Sequence, residues 1–192
     1  MTQGGAPTTQ ERIIGEVLAR LEAGGPDAVV LREVARGARV SLRDVYQHFG
    51  SRDELIVTAI AEWMDTNVYR PMAEPADNTS LYDALLRQFR HVFEPWEQNP
   101  RMLDSFVYAR STAFGERLLT QGEAAAGPAF TPIVEGLDAT YVDDVMLILA
   151  NLVYALMGRV AAGQLPLTEI MPTIERVIRR LTVDIPERAA ER

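Results

Sequence analysis

Apolar residues along this chain recur every three to four positions, and no stretch of useful length alternates apolar with polar as a strand would. The pattern predicts an all-helical protein. Ile13, Ile14, Val17, Leu18 and Leu21 form a first helical stripe, which Thr8 or Thr9 can cap and Gly24-Gly25-Pro26 ends. A short second helix begins near Leu31, with Val34, Ala35 and Ala38 on one face. A third begins at Ser41, where Asp44 three residues on has the spacing of a reciprocal cap between hydroxyl and carboxylate. Ser51 and Glu54 repeat that spacing. They open a fourth helix through Leu55, Ile56, Ala59, Ile60 and Trp63 toward Tyr69, which Pro71 stops.

The segment Met72 to Thr79 reads as a loop, and Ser80 with Asp83 offers another cap for a helix carrying Leu81, Leu85, Leu86, Phe89, Val92 and Phe93. Asn99-Pro100 breaks that pattern, and a helix with Met102, Leu103, Phe106 and Val107 follows. Between Phe114 and Leu137, Gly122, Gly127, Pro128, Pro132 and Gly136 interrupt the period, so kinked or split helices are expected. From Val142 through Val145, Met146, Ile148, Leu149, Leu152, Val153 and Leu156 to Val160 the chain is apolar on more than one face. Such a helix is buried on both sides, and near the C-terminus this suggests a subunit interface. The last helix, Leu167 to Leu181, has Ile170, Ile174, Val177, Ile178 and Leu181 on one stripe with Arg176, Arg179 and Arg180 around it. Leu149, Val153, Leu156 and Val160 are the expected homodimer interface on the first of these helices, to which the family resemblance given below adds Ile174, Val177, Ile178 and Leu181 on the last.

Composition narrows the function more than the fold. With 47% hydrophobic residues over 192 positions a sizeable core is available. There is no cysteine, which removes thiolate metal sites and cysteine nucleophiles and suits a reducing compartment. Met1 to Pro7 has no apolar signal core, and no uninterrupted apolar run is long enough to span a bilayer; the expectation is a cytoplasmic protein without a membrane partner. Two histidines, His48 and His91, stand far apart without a carboxylate at metal-ligand spacing, and there is no glycine-rich phosphate loop. No enzyme, metal or cofactor is therefore expected.

The net charge of −8 is unevenly spread. Between Leu31 and Arg52 the chain holds Arg32, Arg36, Arg39, Arg43 and Arg52 against only Glu33 and Asp44. An acidic protein with a basic tip docks on a polyanion in one orientation. The tip has the layout of a helix-turn-helix: Val45 and Phe49 pack inward, while Leu42, Arg43, Tyr46 and Gln47 face out. Arg43 suits a bidentate contact to guanine, Leu42 a thymine methyl and Gln47 an adenine edge. Tyr46, His48 and Arg52 suit phosphate.

These residues carry a resemblance. Val34-Ala35, Ala38-x-Val40-Ser41, Val45-Tyr46-x-His48-Phe49 and Ser51-Arg52-Asp53-Glu54-Leu55 are similar to the DNA-binding signature of the TetR family of bacterial transcriptional regulators. The chain departs from the family pattern where Arg39 and Arg43 replace the usual glycine and Asp44 a common threonine. The resemblance implies about nine helices: a DNA-binding head, taken as residues 1–50 with Arg32 among its contacts, and a ligand-binding, dimerising body, residues 51–192. It also implies that Tyr46, His48 and Arg52 touch phosphate, and that the last two helices pair with their symmetry mates. Gln98-Asn99-Pro100 with Ala109-Arg110 resembles repressors of the KstR type, which control steroid catabolism.

In the body, Trp63, Phe89, Phe93, Trp96, Met102, Phe106, Tyr108, Met146, Asn151, Tyr154 and Met157 combine aromatic, thioether and a few polar groups, as the lining of an apolar ligand site does. Plain core packing is the competing reading for each. The expected function is a repressor released from a palindromic double-stranded DNA operator by a small apolar effector, a steroid or an acyl thioester. The alternative is a ligand-binding or protein-interaction module whose head, altered at Arg39 and Asp44, no longer reads DNA.

Overall fold

The computed structural model describes residues 6–70 and 80–183. Pro71 and the loop expected over Met72 to Thr79 lie outside the described residues. Among those described there are nine α-helices and no β-strand: α1 (Thr9–Gly24), α2 (Leu31–Gly37), α3 (Leu42–His48), α4 (Arg52–Met64), α5 (Leu81–Gln98), α6 (Pro100–Ser111), α7 (Glu116–Val134), α8 (Ala139–Ala161) and α9 (Ile170–Leu181). The fold is all-helical, as the periodicity predicts.

Local chemistry sets most of the starts. Thr8 accepts from the Glu11 amide at 3.2 Å while the Glu11 carboxylate accepts from the Thr8 amide at 2.6 Å, a complete reciprocal cap. α1 ends at Gly25, whose φ of 71° lies in the left-handed region where glycine has no steric penalty. Ser51 accepts from the Glu54 amide at 3.0 Å, but the Glu54 carboxylate takes the Gly50 amide at 2.9 Å. The expected reciprocal cap there is thus half formed, because the neighbouring amide competes for the carboxylate. α4 runs into a π-helical turn over Asp65–Tyr69. Where kinked or split helices were expected, α7 is one continuous helix with Pro128 and Pro132 inside it. The last helix opens with a 3₁₀ turn, Leu167–Glu169, before α9 proper.

The described residues fall into two compact units, one drawn from Met1–Asp65 and Asn99–Gln121, the other from Thr66–Gln98 and Gly122–Arg192. In the first, α1 packs on α2, α4 and α6, α4 packs on α6, and α2 on α3. Ile13, Val17, Leu21, Val34, Val45, Leu55, Ile56 and Ile60 are its buried core. In the second, α9 packs on both α5 and α8. Its core includes Leu85, Phe93, Trp96, Leu149, Ile174 and Ile178. The Tyr82 hydroxyl donates to Glu175 at 2.9 Å and Arg179 lies over the Tyr82 ring, tying α5 to α9. Tyr141 donates to the Leu181 carbonyl at 2.9 Å, tying α8 to the end of α9.

The 23 residues of α8 include an 18-residue stretch with a mean hydropathy of 1.6, long and apolar enough to cross a bilayer by length and composition. Asp143, Asp144 and Arg159 stand near its ends, so its apolar middle is interrupted only by Asn151.

Candidate functional site

The turn between α2 and α3 is a Schellman closure. The Arg39 amide donates to the Arg36 carbonyl at 3.2 Å and the Val40 amide reaches back to the Ala35 carbonyl at 3.0 Å. Arg39 occupies the left-handed position of that motif, with φ 56°. Ser41 then caps α3 completely: its hydroxyl accepts from the Asp44 amide at 3.0 Å, and Asp44 accepts from the Ser41 amide at 2.9 Å and hydroxyl at 2.8 Å. These bonds hold the Asp44 carboxyl below its ordinary value. α3 is thereby fixed at both its entry and its first turn.

Its two faces differ sharply. Val45 and Phe49 are buried, while Arg43, Tyr46, Gln47 and His48 are exposed and Leu42 is half-buried. Tyr46 is 53% exposed, high for so large an apolar body without a covering partner. His48 stands in solvent beside the Phe49 ring, centroids 6.2 Å apart, and not in the core. Arg32 and Arg43 are exposed; Arg36 is paired with Glu33 at 2.5 Å.

Arg52 is placed quite differently from the phosphate contact that its position suggests. Its guanidinium donates to the Val29 carbonyl at 2.9 Å, to the Tyr108 hydroxyl at 2.7 Å and to the Pro26 carbonyl. It also stacks over the Tyr108 ring and lies 3.7 Å from Asp53. Tyr108 in turn donates to Asp53 at 2.7 Å, and that bond, helped by burial, raises its hydroxyl above the ordinary phenol value. Arg52 thus pins the start of α4 to α6 and to the 3₁₀ turn Pro26–Ala28. Sequence spacing cannot reveal this, since Tyr108 is 56 residues away.

A family model described as "Bacterial regulatory proteins, tetR family" matches residues 18–59, and one described as "Tetracyclin repressor-like, C-terminal domain" matches residues 79–181, more than half of the chain. The chain belongs to the TetR family. Solved structures of the same fold include a TetR transcriptional regulator from Rhodococcus sp. RHA1, with a TM-score of 0.67 and 18% identity, covering 92% of this chain and 96% of that one. A tetR-family transcriptional regulator from Streptomyces coelicolor gives 0.70 and 18%, covering 93% and 82%. A TetR family regulator from Marinobacter aquaeolei VT8 gives 0.56 and 15%, covering 94% and 96%. No curated protein sequence matches the chain. As a TetR-family member it is a transcriptional regulator with a DNA-binding N-terminal domain and a C-terminal ligand-binding domain. Members of the TetR family are regulators and not enzymes; they bind DNA operators, dimerise and bind small ligands.

In this TetR-family body the expected ligand-site residues divide between the two units. Trp63, Met102 and Phe106 are buried where α4 and α6 pack, and Tyr108 serves the Arg52 network. Phe89, Phe93, Trp96 and Met157 are buried in the second unit, Phe89 against Phe130 with centroids 5.7 Å apart; Met146 and Tyr154 are half-buried. Asn151 is exposed, and its amide donates to the Leu147 carbonyl at 2.8 Å. Sequence reading missed two polar groups. Tyr69, in the π-helical turn, has its hydroxyl pushed well above the ordinary value by burial and by Tyr154, and a Cβ at Gly122 would stand 3.2 Å from that oxygen. His91 Nε2 is buried without a partner. Nothing in the local pattern marks either.

The residues of the expected interface differ in burial within the protomer. Leu149, Leu156, Ile174 and Ile178 are buried within their own protomer, whereas Val153, Val160, Val177 and Leu181 are half-buried. The outward side of α8 carries Leu147, 64% exposed, and Ile148, 44% exposed, with Ala150, Asn151 and Ala155. A helix apolar all round offers two stripes, and the periodicity alone does not say which of them faces α9.

Proposed function

We propose that the chain is a homodimeric repressor whose head, residues 1–50, reads a near-palindromic operator with α3 and whose body, residues 51–192, binds a small apolar effector that lowers operator affinity. The observation that carries this is the uncovered side of α3, where Arg43, Tyr46, Gln47 and His48 stand in solvent behind a sealed Val45 and Phe49. A helix so presented enters the major groove, and two of them in a dimer meet half-sites about 34–36 Å apart. Arg43 reads guanine, with Leu42 and Gln47 as flanking base contacts, and Tyr46, His48 and Arg32 touch phosphate. Arg52 keeps the head in shape instead.

The second copy covers the outward side of α8 together with the half-buried Val153, Val160, Val177 and Leu181. Apolar exposure of this kind, rimmed by Asp143, Asp144 and Arg159, is characteristic of a protein interface, and the same covering explains a helix apolar enough for lipid. The effector is a steroid or acyl thioester, held among Phe89, Phe93 and Phe130. His91 Nε2 is available to a polar group of that effector. The effector acts by its differential affinity for two states of the dimer.

Titrating salt against labelled duplex DNA of random sequence tests the reading. Affinity should fall steeply and log-linearly with salt, by ~0.9 in slope per phosphate contacted. Salt-independent binding, or none, would favour a head that has lost DNA. On a selected operator, Arg43→Ala should lose ~1–3 kcal/mol at one guanine position and spare the others. A uniform loss would make Arg43 a phosphate contact.

A further inference from the structure

We infer that Arg39, in the turn before α3, is a phosphate-contacting residue of the DNA interface; the inference rests on α3 being the operator-reading helix. Among the described residues, Arg39 is the one non-glycine with a left-handed backbone, φ 56°. The Schellman closure requires that conformation, and glycine would adopt it without the clash that a Cβ brings. An arginine there is locally unfavourable, so its side chain is retained for something other than the turn.

That something is not intramolecular. Arg39 is exposed, and beyond the backbone bond of the turn its side chain makes no hydrogen bond, ion pair or ring contact. The nearby carboxylates are engaged elsewhere, Glu33 with Arg36 and Asp44 with the Ser41 cap. Its free charge therefore stands two residues before the cap of α3, beside the first turn that carries Leu42 and Arg43. When α3 lies in the groove, the turn that precedes it passes over the groove's edge, where the phosphates are.

Charge accounting leads to the same residue. Of the five arginines in the basic tip, Arg36 is paired with Glu33 and Arg52 is committed to Pro26, Val29 and Tyr108. Arg32, Arg39 and Arg43 are left, and Arg43 is directed to a base. In a chain with a net charge of −8, phosphate neutralisation then falls on Arg32 and Arg39.

The test uses the full-length protein with Arg39→Gly, Arg39→Asn and Arg39→Lys, measuring affinity for the random duplex over a salt series and Tm for each. Glycine and asparagine both accept the left-handed turn but remove the charge. Each dimer loses two such contacts, one per head, so both should bind roughly 30- to 100-fold more weakly near 0.1 M salt, with a salt slope shallower by ~1.8. Arg39→Lys should keep the slope, and Arg39→Gly should melt no lower than the parent. Affinity and slope unchanged in the glycine and asparagine variants would overturn the inference while the parent reading stands. A parent protein whose binding ignores salt would overturn both.

Discussion

At the scale of single residues the most consequential pair is Ser41 and Asp44, because it fixes where the reading helix begins. Removing the hydroxyl with Ser41→Ala should destabilise the protein by ~1 kcal/mol. The cap also gives the head a pH dependence whose sign follows from its chemistry. Asp44 has a depressed folded-state value, chiefly through its bonds to Ser41. Its contribution is therefore fully present above the unfolded value, near 3.9, and is lost as pH falls through the folded one. The difference in Tm between the parent and Asp44→Ala should accordingly be largest near neutrality and vanish in acid. A difference that persists in strong acid would place the effect of Asp44 outside its ionised cap. Asp44→Thr, which restores the family's common residue, separates the cap from base reading: lower stability with unchanged operator preference assigns Asp44 to the cap.

At the scale of elements, what was legible in the sequence was local. The caps of α1 and α3 involve residues three apart, so the pattern contains them, and the alternation of buried and exposed positions along α3 follows from the helical period alone. The surroundings of the other site residues depend on distant chain. Arg52 is captured by Tyr108 and by the carbonyls of Pro26 and Val29 in and just after the 3₁₀ turn, and no periodicity encodes that meeting. Leu149 and Ile148 are adjacent in one apolar run, and only the packing of α9 decides that the first is interior and the second exposed. The glycines and prolines near α7 suggested a kinked or a split helix, and Glu116–Val134 is unsplit, running on through Pro128 and Pro132. The Arg52 assignment has a direct check. Arg52→Ala should destabilise by ~1–2 kcal/mol, a value held down because the side chain is 32% exposed. Arg32→Ala, with no such network, should stay within ~0.5 kcal/mol and weaken DNA binding instead. If both variants lost affinity with no change in denaturation midpoint, Arg52 would be a phosphate contact after all.

At the scale of the whole molecule, the proposed repression requires two heads presented at one spacing, and so a dimer formed through the outward side of α8. Leu147 and Ile148 together expose about one full aliphatic side chain of area per protomer, worth ~1.5–3 kcal/mol once covered. A two-fold axis presents every such group twice, so the pair accounts for ~3–6 kcal/mol of dimer stability. Replacing both with glutamate removes that burial and sets like charges across the axis beside Asp143 and Asp144. The dimer dissociation constant should rise by at least ~100-fold, at ~1.4 kcal/mol per factor of ten. Sedimentation of Leu147→Glu/Ile148→Glu should then show a monomer with the parent's helical content, and operator affinity should collapse because one head occupies only one half-site. Leu149→Ala provides the contrast, since a side chain buried within the protomer should cost ~2–5 kcal/mol of folding stability while leaving the outward side intact. A double variant that still sediments as the parent dimer would mean that the two copies meet elsewhere, and that the apolar side of α8 has another occupant.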